Sequence, residues 1–278
     1  MNESEPTVIL LGGFDGLHVG HRRLLERAKT LSLPVGVMTI EGGKGEKSLF
    51  TGEERARIFS RLGVDFSYLM PFEEIKTLSP QSFIELLKKE CNAVAFVCGE
   101  DFRFGAGAKG SAGLLKETEK EVYVEKLLFD GERKIGASLI KERLSEGDVR
   151  TSARLLGEEF FLIGEVVQDR GVGRTIGFPT ANIRYPESKY PLKTGVYETR
   201  VSVDGKEYKG ITNYGARPTF DNGDIVTETH LIAYTGDLYG KTLEVKFVRW
   251  LREIKRFESV DELILQLEKD KRRVLTDD

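Results

Sequence analysis

Histidine, cysteine and tryptophan are all scarce in this chain: three, two and one among 278 residues. Cys91 and Cys98 lack Cys-x-x-Cys spacing, and each lies near an apolar stretch. That pattern argues against a zinc site or a disulfide and for reduced packing thiols in a cytoplasmic protein. An excess of either charge is missing too, since 42 basic and 45 acidic residues give a formal net charge of −3. Nothing there advertises a nucleic acid or an anionic membrane as a partner. No apolar run approaches the roughly 20 residues of a membrane span. Met1–Pro6 lacks the basic opening of a signal peptide. Internal repeats and low-complexity segments are also absent.

What is present is an ordinary hydrophobic share of 40%, enough for a core, in a length that favours two domains. The most informative stretch is Gly12–His21, Gly-Gly-Phe-Asp-Gly-Leu-His-Val-Gly-His. It follows the apolar run Val8–Leu11, a buried strand by pattern, and precedes Leu24, Leu25 and Ala28 at helical spacing. A strand, a glycine turn and a helix opening near His18 aim backbone N–H groups and a helix dipole at one point, which suits a phosphate. His18 and His21, three residues apart, share one face of the first helical turn. The spacing is neither the G-x-G-x-x-G of dinucleotide-binding folds nor a Walker loop.

Along the chain, Pro34–Thr39 reads as a second strand and Thr51–Glu54 as a capping box opening a helix through Leu62. Phe66–Met70 and Ala93–Cys98 read as further strands, with a helix from Ser79-Pro80 between them. Strands apolar throughout and alternating with helices predict a parallel sheet covered on both faces. Gly99–Gly113 reads as a loop at the ligand-binding edge, bringing Asp101 and Arg103 toward the same ligand. A strand at Glu121–Leu127 and a helix at Ser138–Leu144 follow, and a last helix ends near Leu156 with Gly157 as its left-handed cap. Beyond it, Phe160–Val167, Val196–Val203, Tyr208–Thr212, Glu228–Tyr234 and Leu243–Trp250 predict an antiparallel sheet or small barrel. Ser259–Glu262 is a second capping box, opening a helix with Leu263, Ile264, Leu267 and Val274 in one stripe. The domains are accordingly 1–156 and 157–278.

Asp169–Asn182 carries Gly171, Gly173 and Gly177, which let backbone approach a ligand, and Arg170 and Arg174, which supply charge for phosphates. Thr180 and Asn182 offer hard oxygens that suit Mg²⁺ carried by a nucleotide.

The opening motif, GxFDGxHxGH, resembles the HxGH element of the nucleotidyltransferase superfamily and the first domain of bacterial FAD synthetases. The run Gly173-Arg174-Thr175-Ile176-Gly177-Phe178-Pro179-Thr180-Ala181-Asn182 resembles riboflavin kinases, whose fold is a small β-barrel. Gly195-Val196-Tyr197, Asn213–Thr219, Thr227–His230 and Asp237–Gly240 match that family in order. The resemblance implies a bifunctional enzyme: ATP phosphorylates riboflavin to FMN, and a second ATP adenylylates FMN to FAD with release of pyrophosphate. It implies that His18 and His21 stabilise charge on the α-phosphate. With Gly13, Phe14, Asp15, Asp101, Arg103, Ser138 and Lys141 they would hold the adenylyl-donor ATP. It implies kinase ATP at Gly171, Gly173, Arg174, Thr180 and Asn182, with Mg²⁺ on Thr180 and Asn182. Flavin would be held by Arg217, Glu228 and Arg252, with Glu228 as general base. His230, on the same strand face as Glu228, reads as structural. Flavin is substrate and product, so no bound prosthetic group is needed beyond Mg²⁺. The sequence does not give the oligomeric state.

Several positions depart from the family pattern. Gly136 and Ala137 stand for serines and Lys141 for an arginine. Thr39–Gly43 lacks the usual TFxPHP, and Ile254 replaces the glutamate of LRxE. They motivate an alternative, a riboflavin kinase whose N-terminal domain is a weak or inactive nucleotidyltransferase. From residue physics alone, a cytidylyltransferase fused to a β-barrel binding module is a further rival.

Overall fold

A computed structural model describes residues 5–41, 47–168, 176–216 and 225–276. The chain divides into two compact units at Leu139/Ile140. The expected boundary at 156–158 lies further along, between two elements of the second unit.

Five parallel strands organise the first unit: β1 (Thr7–Leu11), β2 (Val35–Glu41), β3 (Phe66–Pro71), β4 (Ala93–Gly99) and β7 (Val122–Glu125). Across the sheet they run β3-β2-β1-β4-β7. Every residue of β1 is buried: Val8–Leu11 form an unbroken apolar run, and the Thr7 hydroxyl donates to the Cys91 carbonyl at 2.6 Å. Ile9 and Leu11 share a core with Phe83, Ile84 and Leu87 of α4 (Pro80–Cys91). Leu24, Leu25 and Ala28 are the buried stripe of α1 (Val19–Lys29). The Thr51 cap of α2 (Gly52–Arg61) forms with both reciprocal bonds, and Ser79 caps α4 with Pro80 in its first turn.

Several short elements go beyond the expected set. They are α3 (Phe72–Ile75), the pair β5 (Arg103–Phe104) and β6 (Gly110–Ser111), and α5 (Ala112–Thr118). A hairpin of β8 (Phe129–Asp130) and β9 (Arg133–Lys134) precedes α6 (Ala137–Glu146). The Gly99–Gly113 stretch is therefore not a plain loop. Ser111 accepts a bond from the Leu114 N–H and starts α5, and Leu115 is fully buried.

The second unit is a nearly closed antiparallel barrel. Its strands are β10 (Phe161–Glu165), β11 (Ala181–Arg184), β12 (Gly195–Val203), β13 (Lys206–Ala216), β14 (Ile225–Leu231) and β15 (Thr242–Arg252). They run in the order β10-β15-β12-β13-β14-β11, and a bridge between Val167 and Asn182 joins the two ends. β11 is not among the expected strands. Tyr197, Tyr214 and Phe247 fill the interior, and three threonines link across it: Thr199 Oγ1 lies 2.8 Å from Thr212 Oγ1, itself 2.9 Å from Thr229 Oγ1. Outside the wall, α8 (Val260–Thr276) places Val274 against Val196, Ile211 and Leu251. Its expected capping box is half formed: Ser259 accepts from the Glu262 N–H, but Glu262 accepts from Glu258 rather than Ser259. α7 (Val149–Leu156), closed by Gly157 in the left-handed region, packs on β15.

Candidate functional site

In the first unit, strand order reverses between β1 and β4, and a cavity of about 440 Å³ opens at their carboxyl ends. Such a reversal parts the connecting segments and leaves a ligand crevice. Gly13, Phe14, Asp15, His18, His21, Asp101 and Arg103 all line it, so the predicted cluster is brought together. Gly136 and Ala137 line it as well.

His18 is the N-cap of α1, its Nδ1 accepting the His21 N–H at 3.3 Å. His21 donates its own Nδ1 proton to the Gly16 carbonyl at 2.8 Å. The two rings stack with centroids 3.6 Å apart. A Cβ at Gly20 would come within 3.1 Å of the His18 ring, so the glycine between the histidines lets the stack form. Burial, then the neighbouring His21 and Lys134, lowers the His18 pKa from 6.5 to about 2. Burial lowers that of His21 to about 4, against the raising effect of the Gly16 hydrogen bond. Both rings are neutral at pH 7 without a ligand.

Phe14 has a left-handed backbone (φ 41°) and is fully buried beneath His21, ring centroids 4.6 Å apart. Asp15 accepts the Leu49 N–H at 2.7 Å, tying the turn to the segment before α2. Asp101 is ion-paired with Lys134, a cavity residue that the sequence reading passed over. Its signal was available: a lysine four residues ahead of Ser138 and seven ahead of Lys141, both expected at the ATP. Ser138 and Lys141 are not among the lining residues, and Lys141 sits 5.6 Å from the Tyr190 ring centroid. Among the departures, residues 42–43 lie outside the described residues.

Among the described residues of the second unit lie cavities of about 200 and 210 Å³, and Thr180 lines both. The first is walled by Asn182 and the segment Tyr234–Tyr239. Phe178, Asn213, Glu228, His230, Arg252 and residues of α8 wall the second. One cross-strand row sets the spacing: Arg252 opposes Val196, which opposes Asn213, then Glu228, then Asn182. Arg252 is bound to the buried Asp270, with Nη2 2.7 Å from Oδ2. His230 holds its Nδ1 2.9 Å from the Pro179 carbonyl and packs on Phe178. Gly171, Gly173, Arg174 and Arg217 lie outside the described residues. Sequence reasoning quoted Asn213 within a motif but gave it no role; it singled out Ile254 as a departure but did not foresee that Leu263 and Leu267 join it in an apolar wall.

Comparison with known proteins matches residues 1–135 to the FAD synthetase family model and 156–276 to the riboflavin kinase model. A bifunctional riboflavin kinase/FMN adenylyltransferase of Bacillus subtilis (strain 168) is 32% identical, over 98% of this chain and 93% of its own. The enzyme so named from Escherichia coli (strain K12) is 34% identical, over 96% and 91%. The chain belongs to the bifunctional riboflavin kinase/FMN adenylyltransferase family. Membership favours the two-activity reading over a kinase with an idle partner domain. A solved structure from Streptococcus pneumoniae, described as a macrolide-efflux protein, superposes with a TM-score of 0.89. It is 31% identical, over 98% of this chain and 95% of that one. That description stays with the neighbour; among the described residues no helix is long and apolar enough to cross a membrane.

Proposed function

We propose that the first unit adenylylates FMN around His18 and His21, and that the second phosphorylates riboflavin with Glu228 as base, in the cytoplasm. One observation carries the kinase half: Thr180 borders two cavities, one for each substrate, with Glu228 on the wall of the second. The nucleotide occupies the cavity of Asn182 and Tyr234–Tyr239, and the flavin the more apolar cavity beneath α8. Glu228 takes the proton of the terminal ribityl hydroxyl as its oxygen attacks the γ-phosphorus of ATP and ADP leaves. The family implies ATP and a divalent metal, and Mg²⁺ is our specific choice. The Thr180 hydroxyl and Asn182 amide oxygen are hard neutral donors and fit it, since Mg²⁺ takes few protein oxygens and completes its shell with phosphate and water. Bound there, it neutralises charge on the phosphates.

In the first unit a phosphate oxygen of FMN attacks the α-phosphorus of ATP, and pyrophosphate departs. His18 has Nδ1 occupied as an acceptor, so its Nε2 carries the proton and donates to the developing charge. Lys134 and Arg103 add positive charge at the rim. Incubation with riboflavin and MgATP, with products separated by chromatography, tests the reading. FAD is expected. FMN alone would remove the adenylyltransferase half, and no product would remove both.

A further inference from the structure

We infer that Asn213 is the specificity residue of the kinase site, accepting a hydrogen bond from a secondary hydroxyl of the substrate's polyol tail. The inference rests on the riboflavin-kinase reading of that cavity and deepens it. Asn213 lines the cavity beside Glu228, and its Oδ1 is buried with no hydrogen-bond partner among the described residues. Buried side-chain oxygens are nearly always paired, so an orphan on a cavity wall marks where a ligand donor belongs. Its place narrows that donor. Asn213 opposes Glu228 in the β13–β14 register, one strand away, or about 4.8 Å across the sheet. Glu228 must meet the reacting primary alcohol. A group one strand further along the tail is then a neighbouring hydroxyl of the same chain, a donor that an amide oxygen accepts. Three other wall residues of the same sheet do not fit that role. Val196 and Ile211 are apolar, and Arg252 is committed to Asp270.

The chemistry predicts discrimination by omission. A tail with a terminal hydroxyl but no secondary ones still reaches Glu228, yet leaves the Asn213 oxygen buried and unpaired. Such mismatches are costly because the site's polar group has lost water and gained nothing. The probes are riboflavin and the 5-hydroxypentyl analogue of the same isoalloxazine ring. Wild-type protein is expected to favour riboflavin in kcat/KM by at least about tenfold. Asn213→Leu removes the acceptor at similar volume and should shrink that preference by about 5- to 150-fold, mainly by losing riboflavin. Asn213→Ala serves if leucine perturbs the barrel. The thermal melt of the second unit, compared with wild type, reports whether its barrel is folded in each variant.

An undiminished preference in both variants overturns the inference. So does wild-type protein that treats the two tails alike. Glu228→Gln, assayed alongside, separates the two levels. If it phosphorylates riboflavin normally, the kinase reading of the cavity fails. If it is inactive while Asn213→Leu discriminates like wild type, only the role of Asn213 fails.

Discussion

His18 and His21 are stacked in opposite tautomers: His18 accepts a backbone N–H at Nδ1, whereas His21 donates its Nδ1 proton to the Gly16 carbonyl. The free Nε2 of His18 is therefore a donor in the neutral ring, and that of His21 is an acceptor. His21 can donate to phosphate only after taking up a proton, which an anion in the cavity favours. Binding ATP to the first unit at pH 7 is expected to absorb a proton. Calorimetry in buffers of different ionisation enthalpy measures it, and His21→Asn should abolish the uptake. Buffer-independent heats in wild type would count against the tautomer assignment.

The same burial makes a prediction about acid. Both histidines have folded pKa values below 6.5, so the unfolded chain binds protons that the folded chain refuses. Stability is then fully present above pH 6.5 and falls as pH drops toward about 4, where His21 begins to titrate in the folded state. Each histidine contributes a slope of about 1.4 kcal/mol per pH unit in that window. Urea melts of the first unit's transition at several pH values, for wild type and His18→Asn/His21→Asn, should show the slope reduced in the variant.

Selective loss of one activity distinguishes the two sites. Changing His18 and His21 to Ala is expected to abolish FAD formation, each lost donor costing about 10²–10³ in rate, while FMN still forms. Glu228→Gln should lower riboflavin phosphorylation about 10²–10⁴-fold and leave FMN adenylylation intact. Product analysis with riboflavin or FMN as starting material reads both variants.

Gly136 and Ala137 line the cavity of the first unit, and a Cβ at Gly136 would meet nothing within 4 Å. A serine side chain therefore has room at 136. A hydroxyl bonded to a charged phosphate contributes about 1.5–3 kcal/mol. Gly136→Ser with Ala137→Ser should lower the ATP concentration needed for FAD formation without changing the kinase. In wild type, FMN is expected to accumulate before FAD. Time courses at graded ATP check both statements.

Leu155 and Leu156 of α7 are fully buried, and α7 packs on β15. A fragment of residues 140–278 keeps that helix, and one of 158–278 discards it. Each buried leucine contributes about 1.5–3 kcal/mol. The longer fragment is expected to melt cooperatively and phosphorylate riboflavin, and the shorter one to melt several degrees lower. Equal melting temperatures would place the boundary after α7.

The legible elements were those whose signals are local. Thr51, Ser79 and Gly157 mark helix ends through their own side chain or backbone, and β1 and β4 carry the unbroken apolar runs Val8–Leu11 and Ala93–Cys98. The missed elements depend on distant partners. Ala181–Arg184 is a strand because it pairs with β14 and bridges to Val167, which four residues do not announce. The hairpin carrying Lys134 has only two residues per strand. For the site, GxFDGxHxGH and GFPTAN located the cavities, because glycines and paired histidines or oxygens cluster in sequence. Asn213 was invisible as a site residue, since its meaning lies in an unpaired oxygen and a position across from Glu228.

The threonine chain inside the barrel has a consequence for how this sequence can drift. Thr212 bonds on both sides, to Thr199 and to Thr229. Losing it alone strands two buried hydroxyls, at about 1–3 kcal/mol each, whereas exchanging all three for apolar residues of the same shape strands none. Thr212→Val should therefore be more destabilising than the triple change to valine, as thermal melts would show. The three positions are inherited as a block. A descendant with valine at 212 is expected to carry apolar residues at 199 and 229 too, with intermediates selected against along the way.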